Sequence, residues 1–386
     1  MRVSRVIAKN FRCLRDVDVK LRPFTVLVGS NGAGKSSLLG LLRFFGRAAT
    51  PLGLSELLLG LGGFHAARSL DGHSDRMELG IMLDDLESAT EWTFRIDVSG
   101  SASGAFFVSD EQFYVQSTTP ASQAIASYGR TAKGIEFFAN GRDSGADPPG
   151  VSSSEPVLSG MGAYVPEIAR FTDALARVSL WRGYAFQPNE RVRSPQQLRH
   201  TALPANDGSD LFSALYNLRT SRRPVYRELI ELLRLAMPQF EDVEFPVVGV
   251  GYVYMSWRER GLELELTAGQ LSDGTLRLLW LLTILLSAPG DGLVLIDEPE
   301  LGLHPQWIQL LVGVLRKTSA RTNVIVATQS AELVRWLEKD ELLIADFTDE
   351  GGTKFSWANE HPDIDKWLKD FTLSELWTMG ELGGRR

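Results

Sequence analysis

The chain has 386 residues, of which 44% are hydrophobic and 23% are charged, with 36 Gly and 17 Pro. That length allows two or three structural units with a sizeable core, and the composition excludes a disordered, collagen-like or disulfide-scaffold protein. A single cysteine, Cys13, permits neither an intrachain disulfide nor a zinc site built from thiolates. The amino terminus lacks the apolar run of a signal peptide, and the most apolar stretch, 276–288, is too short to span a bilayer. These features predict a soluble cytoplasmic protein with no membrane partner.

The formal net charge of −8 is distributed unevenly along the chain. Residues 1–50 have a net charge of +8, residues 51–150 of −8 and residues 261–386 of −9. The charge of the whole chain therefore says little about partners. The basic first segment is compatible with an anionic ligand and equally with an ordinary solvated surface.

The predicted elements change character along the chain. Alternating residues predict strands at 2–8 and 17–21, and the apolar run 24–28 predicts a buried central strand before a helix over 36–45. Short β-prone runs predict antiparallel strands between 77 and 117, whereas 139–156 has the composition of an exposed loop. Mainly helices are expected over 157–245. The last third alternates helix and strand, with predicted elements at 274–288, 292–297, 305–318, 323–328, 331–338 and 341–346.

A glycine-rich turn follows the predicted strand 24–28. Residues 29–36 read Gly-Ser-Asn-Gly-Ala-Gly-Lys-Ser, which matches the P-loop pattern, with a strand before it and a helix after it. Glycines let successive backbone N–H groups surround a β-phosphate at the positive end of the helix. Lys35 then reaches the β- and γ-phosphates, and Ser36 ligates Mg²⁺. The sequence predicts a nucleoside triphosphate site formed by Gly29, Ser30, Asn31, Gly32, Ala33, Gly34, Lys35, Ser36 and Ser37.

A second apolar strand, over 293–296, ends in the carboxylates Asp297 and Glu298. A strand that is buried on both faces delivers Asp297 to the carboxyl edge of the sheet, beside the P-loop, where it can hold Mg²⁺ through water. Glu298, one residue further, is positioned to act as the general base that polarises the attacking water.

Three further segments complete a known order of motifs. Residues 271–275 read Leu-Ser-Asp-Gly-Thr, residues 299–305 read Pro-Glu-Leu-Gly-Leu-His-Pro, and residues 7–12 read Ile-Ala-Lys-Asn-Phe-Arg. This order resembles the signature motif, Walker B strand, D-loop and opening strand of ABC-type P-loop ATPases. The resemblance is to the RecF/SMC-like branch and to the overcoming-lysogenization-defect (OLD) group of AAA-type prokaryotic ATPases. The resemblance covers about 1–45 and 268–330. Ser-Asp-Gly stands in place of the usual Ser-Gly-Gly, which is similar to the motif that this branch uses.

The resemblance implies an α/β fold, namely a P-loop ABC-type ATPase head with an antiparallel β subdomain and a mainly helical insertion. The expected divisions are the N-terminal ATPase core with the P-loop (1–75), the antiparallel β subdomain (76–142), a flexible loop (143–156), the helical insertion (157–246), the C-terminal ATPase core (247–346) and a tail (347–386).

The resemblance also implies ATP hydrolysis by a head-to-tail homodimer that encloses two ATP molecules. Ser272 and Gly274, at a helix N-terminus, would donate to the γ-phosphate held by the P-loop of the second subunit. A Ser-Asp-Gly trio by itself is an ordinary turn or helix cap. The implied role is either DNA maintenance or anti-phage defence, with the ATPase controlling a separate effector or nuclease protein and with DNA as a further candidate partner.

Two glutamines occupy positions where the resembling ATPases place functional residues. Gln329 follows the strand 323–328 at the position of the usual switch histidine. Its amide can donate to a γ-phosphate but cannot ionise beside Glu298, so slow or partner-stimulated hydrolysis is expected. Gln187 is the candidate Q-loop residue that contacts Mg²⁺, and an ordinary loop glutamine is the alternative.

Weaker signals leave alternatives open. The five histidines have no metal-ligand spacing, so no zinc site is predicted. The aromatic tail around Trp367 and Trp377 either packs on the core or docks a partner. Two arginine clusters either follow a phosphate backbone or form solvated faces; they comprise Arg191, Arg193 and Arg199, and Arg219, Arg222, Arg223 and Arg227.

Other functional classes compete with an ATPase switch. A nucleotide-dependent scaffold with little turnover is compatible with Gln329. The nucleotide-binding subunit of a transporter is disfavoured by the long insertion between the P-loop and the signature segment. A small-molecule kinase would leave the signature and D-loop segments unexplained.

Overall fold

A computed structural model describes residues 1–69, 74–101, 104–118, 124–131, 134–139, 142–143, 152–161, 165–183, 185–187, 190–348 and 351–383. Its strands are β1 (Arg2–Phe11), β2 (Leu14–Lys20), β3 (Phe24–Val28), β4 (Arg76–Asp85), β5 (Thr90–Gly100), β6 (Phe106–Ser117), β7 (Ala124–Thr131), β8 (Gly134–Ala139), β9 (Arg142–Asp143), β10 (Val178–Arg182), β11 (Gln196–Gln197), β12 (Phe240–Glu244), β13 (Val247–Val248), β14 (Tyr252–Val253), β15 (Ser256–Glu259), β16 (Leu266–Thr267), β17 (Leu293–Asp297), β18 (Asn323–Thr328), β19 (Leu342–Phe347) and β20 (Thr353–Trp357).

The helices alternate with these strands mainly in the second half of the chain. They are α1 (Lys35–Ala48), α2 (Gly53–Gly60), α3 (Phe64–Ala67), α4 (Leu158–Met161), α5 (Pro166–Ala176), α6 (Glu190–Arg193), α7 (Leu211–Ser221), α8 (Arg223–Ala236), α9 (Asp273–Ser287), α10 (Pro305–Ser319), α11 (Ala331–Val334), α12 (Ile364–Trp367) and α13 (Leu373–Met379), with 3-10 turns at Ala268–Gln270 and Ala358–Glu360.

A six-stranded sheet forms the centre of the molecule, in the order β10-β17-β18-β3-β19-β20. The first five strands are parallel, and β20 pairs antiparallel with β19 at the edge. Every residue of β3 and of β17 is buried, as expected for strands covered on both faces. The parallel order places the carboxyl ends of β17, β18 and β3 next to one another at a single edge.

The two faces of this sheet belong to separate hydrophobic cores. Val26 and Val28 pack with helices α7 to α11, whereas Leu27, between them, packs with α1 and the second large sheet. This alternation follows from the two-residue period of a strand. Helix α1 contacts β1 on one side and β10, β17 and β18 on the other, so the P-loop helix lies between the two large sheets.

The second large sheet has the order β2-β1-β4-β5-β6-β7-β8-β9 and is antiparallel throughout. Mixed parallel and antiparallel sheets with covering helices confirm the predicted α/β class. The numbered division into domains remains a prediction, and most of the loop expected over 143–156 lies outside the described residues.

Strand β10 was not foreseen by the sequence analysis, because 157–245 reads mainly as helix. It lies at the edge of the parallel sheet, with Arg182 opposite Asp297 on β17. Within the described part of the chain, no helix combines the length and the apolar character needed to cross a membrane.

Candidate nucleotide-binding site

The glycine-rich turn joins β3 to α1 as its pattern predicts. Gly32 and Gly34 adopt positive φ angles of 81° and 102°, a region that favours glycine. A Cβ on Gly34 would lie 2.5 Å from Oγ1 of Thr353, and one on Gly29 would overlap the carbonyl oxygen of Ala345. The turn therefore lies directly against β19 and β20 and has no room for larger residues.

Lys35 begins α1 and turns back over the loop. Its Nζ donates to the carbonyl oxygens of Gly29 at 2.6 Å and Ser30 at 3.0 Å. Burial lowers the pKa of Lys35, and the nearby carboxylates of Glu298, Asp297 and Glu300 oppose that shift. The ammonium group is thus held in the concave side of the loop, where a phosphate would be its natural counter-ion.

The loop also contains an unsatisfied polar atom. The hydroxyl oxygen of Ser30 is buried and has no hydrogen-bond partner among the described residues. Buried hydroxyl groups rarely remain without a partner, so this atom fits a loop built to accept an additional polar ligand.

Two of the three Mg²⁺ contacts predicted from the sequence, Ser36 and Asp297, lie next to each other. The Ser36 hydroxyl donates to Oδ2 of Asp297 at 3.5 Å, across the edge between α1 and β17. Burial raises the pKa of Asp297, the neighbouring Glu298 raises it further, and Arg182 and Lys35 oppose the shift. A hydroxyl and a carboxylate that converge beside a phosphate loop are hard oxygen donors of the type that Mg²⁺ prefers.

Glu298 lies one residue beyond β17 in a left-handed conformation, with φ of 56°. Its backbone N–H donates to the carbonyl oxygen of Ala327 at 2.8 Å, which ties it to β18. Its Oε1 accepts a hydrogen bond of 3.1 Å from Nε2 of Gln329. Unfavourable φ angles in non-glycine residues are frequently found at functional sites.

Glu300 is a site residue that the sequence analysis did not assign. Its Oε1 accepts a hydrogen bond of 2.5 Å from Oγ1 of Thr328, and its buried Oε2 has no partner among the described residues. Burial raises the pKa of Glu300 to about 7, and the charge of Glu298 contributes in the same direction. The sequence shows Glu300 only as part of the segment 299–305. It gives no sign that this third carboxyl group lies close to Asp297 and Glu298.

Ser272 and Gly274 lie at the N-terminus of α9. Ser272 is exposed, and its Oγ accepts a hydrogen bond of 3.1 Å from the backbone N–H of Thr275. A Cβ on Gly274 would lie 2.8 Å from the carbonyl oxygen of Gly302 in the D-loop segment. The structure brings the signature and D-loop segments together on one surface, and their ATP contacts remain a prediction.

Gln187 lies beyond β10, in an exposed position. Its neighbour Phe186 is fully buried and stacks on Trp280, with the ring centroids 4.7 Å apart. Within the described residues, Gln187 forms no hydrogen bond with Ser36 or Asp297. Its role as a Mg²⁺ contact stays a prediction.

Comparisons with known proteins agree with this geometry. Residues 24–335 match the protein family described as "AAA domain, putative AbiEii toxin, Type IV TA system". The OLD nuclease of Thermus scotoductus is 54% identical over 37 residues, which are 10% of this chain and 7% of that protein. Septu protein PtuA of Bacillus thuringiensis is 24% identical over 86 residues, which are 22% of this chain and 21% of that protein.

Both of these matches are partial, since the aligned segments span less than a quarter of either curated relative. A crystal structure of an SMC head bound to the C-terminal winged-helix domain of ScpA is similar over 92% of this chain and 98% of that chain. The TM-score is 0.54 at 13% sequence identity. This likeness shows the fold, and it confirms the predicted α/β fold class.

Proposed function

Because this chain belongs to the P-loop ATPase family described as "AAA domain, putative AbiEii toxin, Type IV TA system", we propose that it is an ATP-binding and ATP-hydrolysing switch. The observation that carries this proposal is the convergence of Lys35, Ser36, Asp297, Glu298 and Gln329 at one edge of the parallel sheet. Side chains from α1, β17 and β18 meet there, and each has the chemistry that phosphoryl transfer requires.

Each residue then has a distinct task. Lys35 and the backbone N–H groups of 29–36 hold the phosphates, and Ser36 with Asp297 holds Mg²⁺, which neutralises charge on the phosphates when bound. Glu298 accepts a proton from the attacking water. The Gln329 amide orients Glu298 and donates to the γ-phosphate.

We further propose that two copies form a head-to-tail dimer around two ATP molecules. In support, α9 is a 15-residue helix whose N-terminus, with Ser272, faces solvent. A helix N-terminus attracts a phosphate group. The phosphates bound by the P-loop of the same chain are already held by that loop. A second chain is therefore the natural source of the ligand for this surface.

The relatives suggest a biological setting for the switch. One is named a nuclease, and the SMC head was crystallised with a bound domain of another protein. We propose that ATP binding and hydrolysis control a separate effector or nuclease protein in anti-phage defence or DNA maintenance.

A groove of about 910 Å³ is the place where DNA would bind if it is a partner. Arg223 and Arg227, one helical turn apart on α8, are exposed and form no ion pair among the described residues. Arg219 and the ring of Tyr216 lie on the same groove. Arginines beside an aromatic ring can contact phosphates and bases, and binding should weaken steeply with salt.

The decisive experiment compares wild-type protein with Lys35→Ala and Glu298→Gln in ATP binding, turnover and mass in solution. We expect Lys35→Ala to lose ATP affinity at least about 100-fold, and Glu298→Gln to bind ATP but accumulate as a dimer. Mixing Lys35→Ala with Ser272→Arg should restore turnover, because one composite site then has an intact P-loop and an intact signature. Tight ATP binding by Lys35→Ala, or a Glu298→Gln protein that stays monomeric with Mg²⁺ and ATP, contradicts the proposal.

A second candidate function is a nucleotide-dependent scaffold with little turnover. It is favoured by the hydrogen bond between Gln329 and Glu298, which occupies one oxygen of the proposed base with a group that cannot ionise. ATP-dependent dimerisation without turnover above that of Glu298→Gln would support the scaffold.

A further inference from the structure

Arg277 occupies a contact point between three segments of the site. It lies one helical turn after Asp273, near the start of α9. Its Nη2 donates to the carbonyl oxygen of Phe186 at 2.9 Å, and its Nη1 donates to the carbonyl oxygen of Gly183. The guanidinium carbon lies 5.7 Å from the centroid of the Phe186 ring. The signature helix is thereby attached to the segment that follows β10.

Gly183 connects this contact to the carboxylate-bearing edge. Its backbone N–H donates to the carbonyl oxygen of Asp297 at 2.7 Å. A Cβ on Gly183 would overlap the carbonyl oxygen of Glu298. Gly183 therefore lies directly between the Arg277 guanidinium and the backbone of Asp297 and Glu298. It is packed so closely that a larger residue would not fit.

The D-loop lies on the other side of the same arginine. Gly302 has φ of 71°, and a Cβ on it would lie 3.4 Å from Nε of Arg277. The carbonyl oxygen of Gly302 in turn packs against Gly274 of the signature segment. A displacement of the Arg277 side chain would therefore change the packing of both the D-loop and the signature segment, which lie on the surface proposed to face the second subunit.

The hydrogen bonds of Arg277 are directed to backbone groups. Its Nε is buried and has no hydrogen-bond partner among the described residues, and burial lowers its pKa. Its hydrogen bonds go to backbone carbonyls, while the carboxylate of Asp273, one helical turn earlier, is bound by Arg193 at 2.5 Å. The Arg277 guanidinium is therefore held by backbone groups of the segment after β10 and forms no ion pair among the described residues.

We propose that Arg277 is a positioning residue that couples the carboxylate edge at Asp297 and Glu298 to the signature turn at Ser272 and Gly274. The fork of its guanidinium holds Gly183 and Phe186 at a fixed distance from α9. The signature turn is then in position to contact a second subunit only while Gly183 stays bonded to Asp297 and packed against Glu298. This inference rests on the proposed function, since it assigns a role within the ATP-dependent dimer.

The test uses Arg277→Gln and Arg277→Lys in the full chain, with Arg321→Gln as the matched control. Arg321 also donates to backbone carbonyls, those of Leu285, Leu286 and Ala288, but it does so at the opposite end of α9. Lysine keeps the charge of Arg277 and loses the fork, because one ammonium group cannot reproduce the two fixed donors of a guanidinium.

We expect both Arg277 variants to keep ATP affinity within about threefold of wild type while kcat falls at least about 10-fold. ATP-dependent dimerisation in the Glu298→Gln background should weaken by a similar factor. Arg321→Gln should lower thermal stability at least as much and leave kcat and dimerisation near wild type.

Two outcomes separate the inference from the proposed function. If wild-type protein neither hydrolyses ATP nor dimerises, the proposed function is wrong. If wild type does both, and Arg277→Lys and Arg277→Gln match Arg321→Gln in kcat and dimerisation, Arg277 has only a structural role and the inference is overturned. Should Arg277→Gln fail to fold, the lysine variant provides the same comparison.

Discussion

The side-chain amide of Gln329 donates a 3.1 Å hydrogen bond to the carboxylate of Glu298. The two residues leave neighbouring parallel strands, β17 and β18, at the same edge of the sheet. An amide can hold and orient a carboxylate as a histidine can, but it adds no ionisable group. The geometry therefore accounts for an oriented base whose partner at position 329 does not ionise.

Removing the Gln329 amide should impair chemistry more than binding. We expect Gln329→Ala to lower kcat by about 100- to 1000-fold, the effect typical of losing one positioned donor, with ATP affinity changed less than threefold. The control is Gln306→Ala, an exposed glutamine near the start of α10. Steady-state turnover and titration calorimetry check this, and an unchanged kcat would remove Gln329 from the machinery.

Glu300 should make the nucleotide-free protein less stable as the pH rises. Its pKa is raised from 4.5 to about 7, so between these values the folded state keeps a proton that the unfolded state releases. The stabilisation is complete below about pH 4.5 and is lost by about pH 7, amounting to about 3 kcal/mol at most.

Glu300→Gln replaces the protonated carboxyl with a neutral amide and should flatten this part of the stability profile. Urea unfolding at pH 5.5 and pH 8 measures the difference. Glu375→Gln is the control, because Glu375 is an exposed carboxylate in the cap of α13. Parallel profiles for wild type and Glu300→Gln would show that Glu300 does not titrate in this range.

Gly34→Ala should damage both folding and binding. A methyl group there meets Thr353 at 2.5 Å, and the backbone has φ of 102°. We expect a loss of at least about 2 kcal/mol in unfolding free energy and the loss of measurable ATP binding. Gly60→Ala, at the end of α2 with open space around its Cα, should instead be neutral or stabilising by up to about 1 kcal/mol. Equal effects of the two substitutions would contradict the close packing of the P-loop.

The C-terminal helix α13 should support the switch residue. Trp377 donates from Nε1 to the carbonyl oxygen of Gln329 at 3.3 Å, and Ser374 donates to that of Ala331 at 2.8 Å. Leu376 is buried, so the tail packs on the core. We expect Trp377→Ala to cost about 1–2 kcal/mol in stability and to lower kcat severalfold.

Phenylalanine at 377 keeps most of the packing and loses only the indole N–H, so Trp377→Phe should retain stability while kcat falls about twofold. Thermal unfolding and turnover assays distinguish the two variants. Wild-type turnover in Trp377→Ala would show that α13 is independent of the site.

Much of the fold followed from local patterns. The strands β3, β17, β18 and β19 and the helices α9 and α10 lie within one or two residues of their predicted bounds, since each has a strong apolar pattern. Strand β10 was missed, because a five-residue strand between helices has little periodic signal. Its position could be decided only by pairing with β17, which is more than 100 residues away in the sequence.

The sequence by itself determined the features that depend only on residues close together in the chain. The strand, glycine turn and helix around Lys35 are consecutive, so their geometry is a property of the segment. The tertiary structure decided which distant groups meet: Ser36 with Asp297, 261 positions apart, and Arg277 with Gly183, 94 positions apart. It also decided that Glu300 is half-buried beside Glu298 and that Gln187 is exposed. Strand order and burial set these relationships. Both depend on how distant segments pack together, and no local sequence pattern identifies which segments will meet.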